Sequence, residues 1–178
     1  ELCGGSFVEN TIHMVDLLRF FLGDISAVSA FYFDRKSGEG PEPINMPHVY
    51  NVNYQFARGA VANATTSRVL TNVPYQRRTL TVVADDTLID WSTQDVSVNG
   101  EIVAQWDDRP NAFALQARAF VDAVKKSDPK SVRSPYSEAL NSLTAVLGAN
   151  VSAAQGGERV VLDDMIQGKV VWTPKEVA

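Results

Sequence analysis

The chain has 178 residues, of which 45% are hydrophobic and 21% charged, so it can form a domain with a buried core. Its net charge of −5 argues against a nucleic-acid or anionic-membrane surface, since both need a basic face. The single cysteine, Cys3, can form neither an internal disulfide nor a cysteine metal cluster, so we expect a reducing, cytoplasmic location.

The first predicted element is a helix from Ser6 to Gly23, apolar over most of its circumference and therefore expected to be buried on most sides. At about 100° per residue, Glu9, His13 and Asp16 lie in one narrow stripe of this helix. Ionisable groups on an apolar surface must be paired, hydrated or shifted in pKa, and sites of proton transfer are built in the same way. An acid facing the helix dipole and a core histidine would give the same pattern. The periodicity leaves both interpretations open.

The middle of the chain predicts strands. β-Branched and aromatic residues indicate a strand over Ile25–Phe33, and an alternating pattern predicts a hairpin of His48–Phe56 with Ala60–Leu70. The Asn99-Gly100 pair is a strong hairpin signal. The strands expected to form an antiparallel meander are Arg77–Val83, Thr87–Trp91, Asp95–Val98 and Ile102–Trp106.

Helices return towards the end. Asn111–Lys126 carries an apolar stripe that predicts a core-facing helix. Ser134-Pro135 is typical of a helix start and predicts a long helix to about Ala154, closed by Gly156-Gly157. The last predicted elements are a strand at Val160–Leu162, a helical turn at Asp163–Ile166 and a strand at Lys169–Trp172.

A helix, consecutive antiparallel strands and then further helices is an α+β order. It predicts an open, mostly antiparallel β-sheet with helices packed on one face. The other face, which displays Asn51, Asn53 and Gln55, would be available to a second subunit.

The motif Glu9-x-x-x-His13-x-x-Asp16 follows Gly4-Gly5-Ser6 and runs into an apolar helix ending at Leu22-Gly23. It resembles the start of the C-terminal domain of the glucose-fructose oxidoreductase / inositol dehydrogenase / rhizopine catabolism family, which shows a glycine run and then D-x-G-x-H-x-x-D. The later order of strands and helices is similar too, so the likeness covers nearly the whole chain. It implies a fold like the C-terminal domain of glyceraldehyde-3-phosphate dehydrogenase. Residues 1–178 would then be one substrate-binding and oligomerisation domain of a longer protein.

Members of that family are NAD(P)-dependent oxidoreductases of sugars, polyols and related compounds. The resemblance implies that His13 moves the hydroxyl proton, with Glu9 as its partner and Asp16 positioning the histidine or the helix. The chain contains neither a G-x-G-x-x-G fingerprint nor the family's Glu-Lys-Pro motif. NAD or NADP would therefore be held mainly by an N-terminal Rossmann domain absent from this chain, and the 178 residues alone would be inactive. The implied partners are that domain, a small carbohydrate-like substrate and further copies, as a homodimer or tetramer through the open sheet face.

Two departures from the family pattern leave other functions open: Glu9 stands in place of aspartate and Thr11 in place of glycine. A second hypothesis is therefore a non-catalytic binding or dimerisation module derived from the family. A third is a metal site, because Glu9, His13 and Asp16 could supply ligands from one helix face. The only other histidine is His48 and no motif completes a coordination shell, so we expect no resident metal.

Overall fold

The computed structural model describes residues 5–36, 46–69, 78–107 and 111–171. The chain divides into two compact units, a first formed by Glu1–Thr71 with Ser134–Ala178 and a second formed by Asn72–Arg133. Each unit contains an antiparallel sheet and at least one helix, which confirms the predicted α+β class. The described strands form two sheets of four strands each, where the sequence predicted one open sheet.

The described strands and helices agree closely with the predicted order. The strands are β1 Ile25–Phe33, β2 Val49–Phe56, β3 Val61–Ser67, β4 Thr79–Ala84, β5 Thr87–Ser92, β6 Asp95–Val98, β7 Glu101–Gln105 and β8 Val160–Val161. The α-helices are α1 Ile12–Leu22, α2 Ala112–Lys126, α3 Ala139–Ala154 and α4 Leu162–Ile166. None of the helices in the described part of the chain is long and apolar enough to cross a membrane.

The first helix begins with a π-helical turn, Phe7–Thr11, and continues as α1. It ends at Gly23, whose φ of 85° lies in the left-handed region that favours glycine. The expectation of burial on most sides is wrong for its C-terminal part, because Phe20 and Phe21 are 76% and 56% exposed. One face of the helix is therefore an exposed surface.

The sheet of the first unit has the strand order β3-β2-β1-β8, with antiparallel pairing throughout. Tyr50, Val52, Tyr54 and Phe56 alternate along β2 on its buried face, as the sequence predicted. Helix α3 packs against β1 at small residues, and a Cβ added at Gly148 would lie 2.9 Å from Val28 Cγ1. Close packing on this side leaves the opposite face of the sheet, with Asn53 and Gln55, exposed.

The sheet of the second unit is a meander with the order β4-β5-β6-β7, which confirms that prediction. Asn111 caps α2 because its side chain accepts a hydrogen bond from the backbone N–H of Ala114 at 3.1 Å. The apolar stripe of α2 does not face a core, since Phe113, Phe120 and Val124 are 83%, 62% and 62% exposed. Periodicity shows that a helix is amphipathic but does not identify what covers its apolar face.

Two boundaries in the last part of the chain differ from the prediction. Helix α3 begins at Ala139, since residues 135–138 form a turn in which the backbone N–H of Glu138 donates to the carbonyl of Pro135 at 2.9 Å. No strand forms over residues 169–171, since the backbone N–H groups of Lys169 and Val170 donate to the carbonyl of Asp164 at 2.8 and 3.2 Å. Three residues at the limits of predicted strands lie outside the described residues: Arg77, where one strand was predicted to begin, and Leu70 and Trp172, where two others were predicted to end.

Candidate functional site

The π-helical turn that carries Glu9 is anchored by Phe7, which is fully buried and stacks on Tyr50 with 5.5 Å between ring centroids. Ser6 adds a second anchor, because its hydroxyl accepts a hydrogen bond from Arg68 Nε at 2.8 Å. A π-turn has hydrogen bonds from residue i to i+5, so a constant 100° per residue does not hold across it. The sequence-derived alignment of Glu9 with His13 assumed a uniform α-helix.

Glu9 and His13 are both exposed, Glu9 in the π-turn and His13 in the first turn of α1. Among the residues that the structure describes, neither side chain has a hydrogen-bond or ion-pair partner. The alternative of a satisfied core histidine is therefore wrong for His13. Its imidazole is available to a group outside this chain's described residues.

Asp16 belongs to a different environment, which we call the Arg19 cluster: Arg19, Asp16, Asp24, Glu138 and Ser142. The Ser142 hydroxyl donates to Asp16 Oδ1 at 2.6 Å, and Arg19 Nη1 lies 3.5 Å from the same oxygen. Arg19 Nη1 also donates to Ser142 Oγ at 2.8 Å and to the carbonyl of Glu138 at 3.2 Å. Arg19 Nη2 contacts Asp24 Oδ1 at 2.6 Å and Glu138 Oε1 at 2.8 Å. Asp16 thus ties α1 to α3.

The sequence did not identify this cluster, although it contained one signal. That signal is an arginine in a helix that is apolar over most of its circumference. The structure leaves Arg19 only 7% exposed, and a buried guanidinium must be paired. Asp16 at i−3 is a partner visible in the sequence. Ser142 and Glu138 lie more than 100 residues away and could not be assigned from spacing.

The described residues contain no group of three His, Cys, Asp or Glu side chains arranged to hold a metal ion. In the metal hypothesis Asp16 would be a ligand, but its Oδ1 atom is engaged by Ser142 and Arg19. Glu9 and His13 alone would be two ligands, fewer than the three that catalytic zinc sites use.

Phenols pack beneath the π-turn. The rings of Tyr32 and Tyr50 are 4.6 Å apart, and the Tyr32 hydroxyl donates to Asn150 Oδ1 at 2.9 Å. Burial raises the pKa of Tyr32, and the neighbouring Tyr50 raises it further. Burial likewise raises the pKa of Tyr54, with a smaller contribution from Tyr32. Tyr32 and Tyr54 therefore stay protonated at neutral pH and contribute to the packed interior, so we assign them no role in proton transfer. A cavity of about 430 Å³ lies on the opposite, open face of the sheet, away from His13.

The sequence profile of the GFO/IDH/MocA C-terminal domain matches residues 1–89, a range that includes Glu9, His13 and Asp16. The chain belongs to this family. The resemblance found in the sequence is thereby confirmed, and members of the family are oxidoreductases. A comparison with curated protein sequences gives no match.

Solved oxidoreductase structures share the fold. One from Thermotoga maritima has a TM-score of 0.72 at 21% identity, covering 91% of this chain and 45% of its own. One from Agrobacterium radiobacter, in complex with NAD+, L-tartaric acid and magnesium, has a TM-score of 0.69 at 19% identity, covering 88% and 49%. The WlbA dehydrogenase from Bordetella pertussis, in complex with NADH and UDP-GlcNAcA, has a TM-score of 0.65 at 17% identity, covering 89% and 48%. This chain spans about half the length of each.

Proposed function

We propose that this chain is the C-terminal, substrate-binding domain of an NAD(P)-dependent oxidoreductase that acts on a sugar, polyol or related hydroxy compound. The observation that carries the proposal is the exposed His13 at the start of α1, in the motif that resembles the family's catalytic histidine. Membership of the family supports it, as do the similar structures described above, two of which are complexes with NAD+ or NADH.

In this proposal His13 is the general acid-base. It takes the proton from the substrate hydroxyl during oxidation and returns it during reduction. Glu9 stands one turn earlier and acts as its partner toward the substrate. Asp16 has a positioning role, because its contacts with Ser142 and Arg19 hold α1 against α3.

A bound nicotinamide cofactor would supply the hydride acceptor, and a second domain would hold it. Paired strands in the described residues are antiparallel, whereas a dinucleotide-binding βαβ unit requires parallel strands. We therefore propose an N-terminal Rossmann domain that holds NAD or NADP and faces the exposed side of α1. Phe20 and Phe21 support this placement, because a pair of exposed aromatic side chains is typical of an interface.

We further propose that the protein is cytoplasmic and forms a homodimer or tetramer through the open face of the first sheet. Phe31 and Phe33 lie on that face and are 59% and 57% exposed. Phe33→Glu would place a charge in this contact, so it should dissociate the oligomer in sedimentation equilibrium. Unchanged association would refute the proposal that the open sheet face forms the contact between copies.

The catalytic role is tested in the longer protein with His13→Ala. Turnover should fall by about 10² to 10⁴, the usual contribution of a general acid-base, while NADH or NADPH affinity stays nearly unchanged. The matched control is Asn10→Ala, an exposed neighbour in the preceding turn, which should keep full turnover. Normal turnover in the His13 variant would refute the proposal.

A second candidate is a non-catalytic binding or dimerisation module derived from the family. It is favoured by one observation: within the described residues no hydrogen bond orients the His13 imidazole. NADH and NADPH fluorescence titrations of this chain and of the longer protein distinguish the two. Binding by the longer protein alone supports the oxidoreductase and identifies the cofactor. Binding by neither favours the module, and binding by this chain alone contradicts the two-domain arrangement.

A further inference from the structure

The cavity on the open face of the first sheet lies at the end of β1, β2 and β3 away from Phe33, next to the segment that leads into β8. Its volume of about 430 Å³ falls in the range of small-molecule sites. We call it the Arg159 pocket. Side chains that line it include Ala27, Ser29, Asn53, Gln55, Val61, Asn63 and Arg159.

The backbone on both sides of Arg159 is anchored at this pocket, and the exposed side chain makes one hydrogen bond there. The backbone before it is anchored twice, because Ser29 donates to the carbonyl of Gly157 at 2.7 Å and Ser152 donates to the carbonyl of Glu158 at 2.6 Å. The backbone after it is fixed as β8, where Val160 pairs with β1. The guanidinium reaches across β1, where the side chains are small, and Nη2 donates to Gln55 Oε1 on β2 at 2.9 Å.

A network of amides fixes the orientation of the neighbouring donors. Asn63 Nδ2 donates to Asn53 Oδ1 at 2.9 Å and to Asn51 Oδ1 at 3.1 Å. Thr65 donates to Asn63 Oδ1 at 3.0 Å and accepts from Asn51 Nδ2 at 3.1 Å, which closes the network. Because Asn53 accepts through its oxygen, its NH₂ group is left as a donor without a partner in the described part of the chain.

Gln55 is oriented in the same way, because its Oε1 accepts from Arg159 and its Nε2 remains as a donor. Arg159 uses one of its five N–H groups in that bond, and among the described residues its charge has no carboxylate partner. The pocket thus presents N–H donors from Asn53, Gln55 and Arg159. One of these groups is a permanent cation, in a chain of net charge −5.

We propose that the Arg159 pocket binds a carboxylate carried on a short apolar body. A carboxylate accepts several hydrogen bonds and fits the forked guanidinium with two parallel ones, whereas a neutral group would leave the cation without a counterion. Ala27 and Val61 supply an apolar wall for the rest of the ligand. This inference is independent of the acid-base role proposed for His13. The pocket lies on the same sheet face as the proposed contact between copies, so a ligand bound there would compete with that contact. The carboxylate can come from a free small molecule or from a second copy of this chain, and the experiment separates the two.

The probe is isovalerate, titrated into the ¹⁵N-labelled protein while the side-chain NH₂ signals of Asn53 and Gln55 are followed by NMR. We expect saturable shifts of both signals. Isovaleramide, a neutral probe of the same shape, should bind at least tenfold more weakly, and so should isovalerate to Arg159→Gln. Arg118→Gln, at an exposed arginine of α2, is the matched control and should bind isovalerate like the unmodified protein.

A second variant keeps the test decisive if Arg159→Gln fails to fold. Asn53→Asp replaces a donor by a negative charge of the same shape and should abolish isovalerate binding. If a second copy supplies the carboxylate, isovalerate should instead weaken self-association in sedimentation equilibrium, and Arg159→Gln should weaken it by at least tenfold. Equal binding of isovaleramide would overturn the proposal. So would an absence of isovalerate shifts combined with unchanged self-association of Arg159→Gln.

Discussion

Removing the Arg19 guanidinium tests whether the Arg19 cluster holds α1 on α3. Arg19→Met keeps most of the apolar stem and removes the charge. The side chain is 6% exposed and bonds to a serine hydroxyl, a backbone carbonyl and two carboxylates, with a third carboxylate at 3.5 Å. We expect the variant to fold but to lose a substantial part of its free energy of unfolding.

The size of the loss follows from the exposure of the partners. Breaking a fully buried ion pair costs about 3–5 kcal/mol, because one charge is left without compensation. Here the side chains of Asp16, Asp24 and Glu138 are 48%, 68% and 42% exposed, so water can solvate them once the cation is gone. We therefore expect about 3 kcal/mol, at the low end of that range. For a protein of this size that corresponds to a Tm lower by roughly 6–12 °C.

The assay is urea unfolding followed by circular dichroism, with tryptophan fluorescence as a second probe because the chain has two compact units. Arg58→Met is the control: Arg58 is exposed and makes no ion pair among the described residues, so its loss should change stability by less than about 0.5 kcal/mol. A loss below about 1 kcal/mol in Arg19→Met, or one equal to the control, would show that the cluster does not stabilise the helix pair.

Three further changes probe the packing of the first unit. Gly157→Ala should destabilise the fold by about 2 kcal/mol more than Gly156→Ala in thermal denaturation, since both have positive φ but only a Cβ at Gly157 would overlap the Phe31 ring. Gly148→Ala should cost about 1–3 kcal/mol by overpacking, and an unchanged Tm would contradict the close helix–sheet contact. Tyr54→Phe should be neutral or stabilising by up to about 1 kcal/mol at pH 7, because the buried hydroxyl has no partner among the described residues. Burial raises the pKa of Tyr54 above 10.0, so above pH 10 the unfolded chain loses a proton that the native state keeps, and stability falls as pH rises. Tyr54→Phe should reduce the slope of the free energy of unfolding against pH by about 1.4 kcal/mol per pH unit. An unchanged slope would show that burial does not raise the pKa of Tyr54.

Much of the fold could be predicted because its signals are local. The strand Ile25–Phe33 and the turn at Asn99-Gly100 follow from composition and turn chemistry, and both were predicted correctly. The division of the strands between two sheets was not predicted, because local signals indicate hairpins between consecutive strands but do not show that β3 and β4 belong to different sheets. The pairing of β1 with β8 was not predicted either, since it joins residues distant in the sequence. The start of α3 was predicted too early: Ser134 is a good helix cap, but a turn over residues 135–138 precedes the helix.

The candidate site could be predicted only as far as local spacing allows, and contacts with distant residues decided the rest. The sequence pattern alone does not distinguish Glu9, His13 and Asp16, since all three are polar residues in one stripe of an apolar helix. The structure separates Glu9 from the other two, because Glu9 lies in the π-turn. That turn is anchored by the packing of Phe7 against Tyr50, which is distant in the sequence. The structure also separates Asp16, because the hydroxyl of Ser142, 126 residues away, donates to it and makes it part of the contact between α1 and α3. His13 remains exposed, and an exposed imidazole contributes nothing to the core. The acid-base role proposed for His13 therefore depends on a group outside the described residues that meets the exposed face of α1.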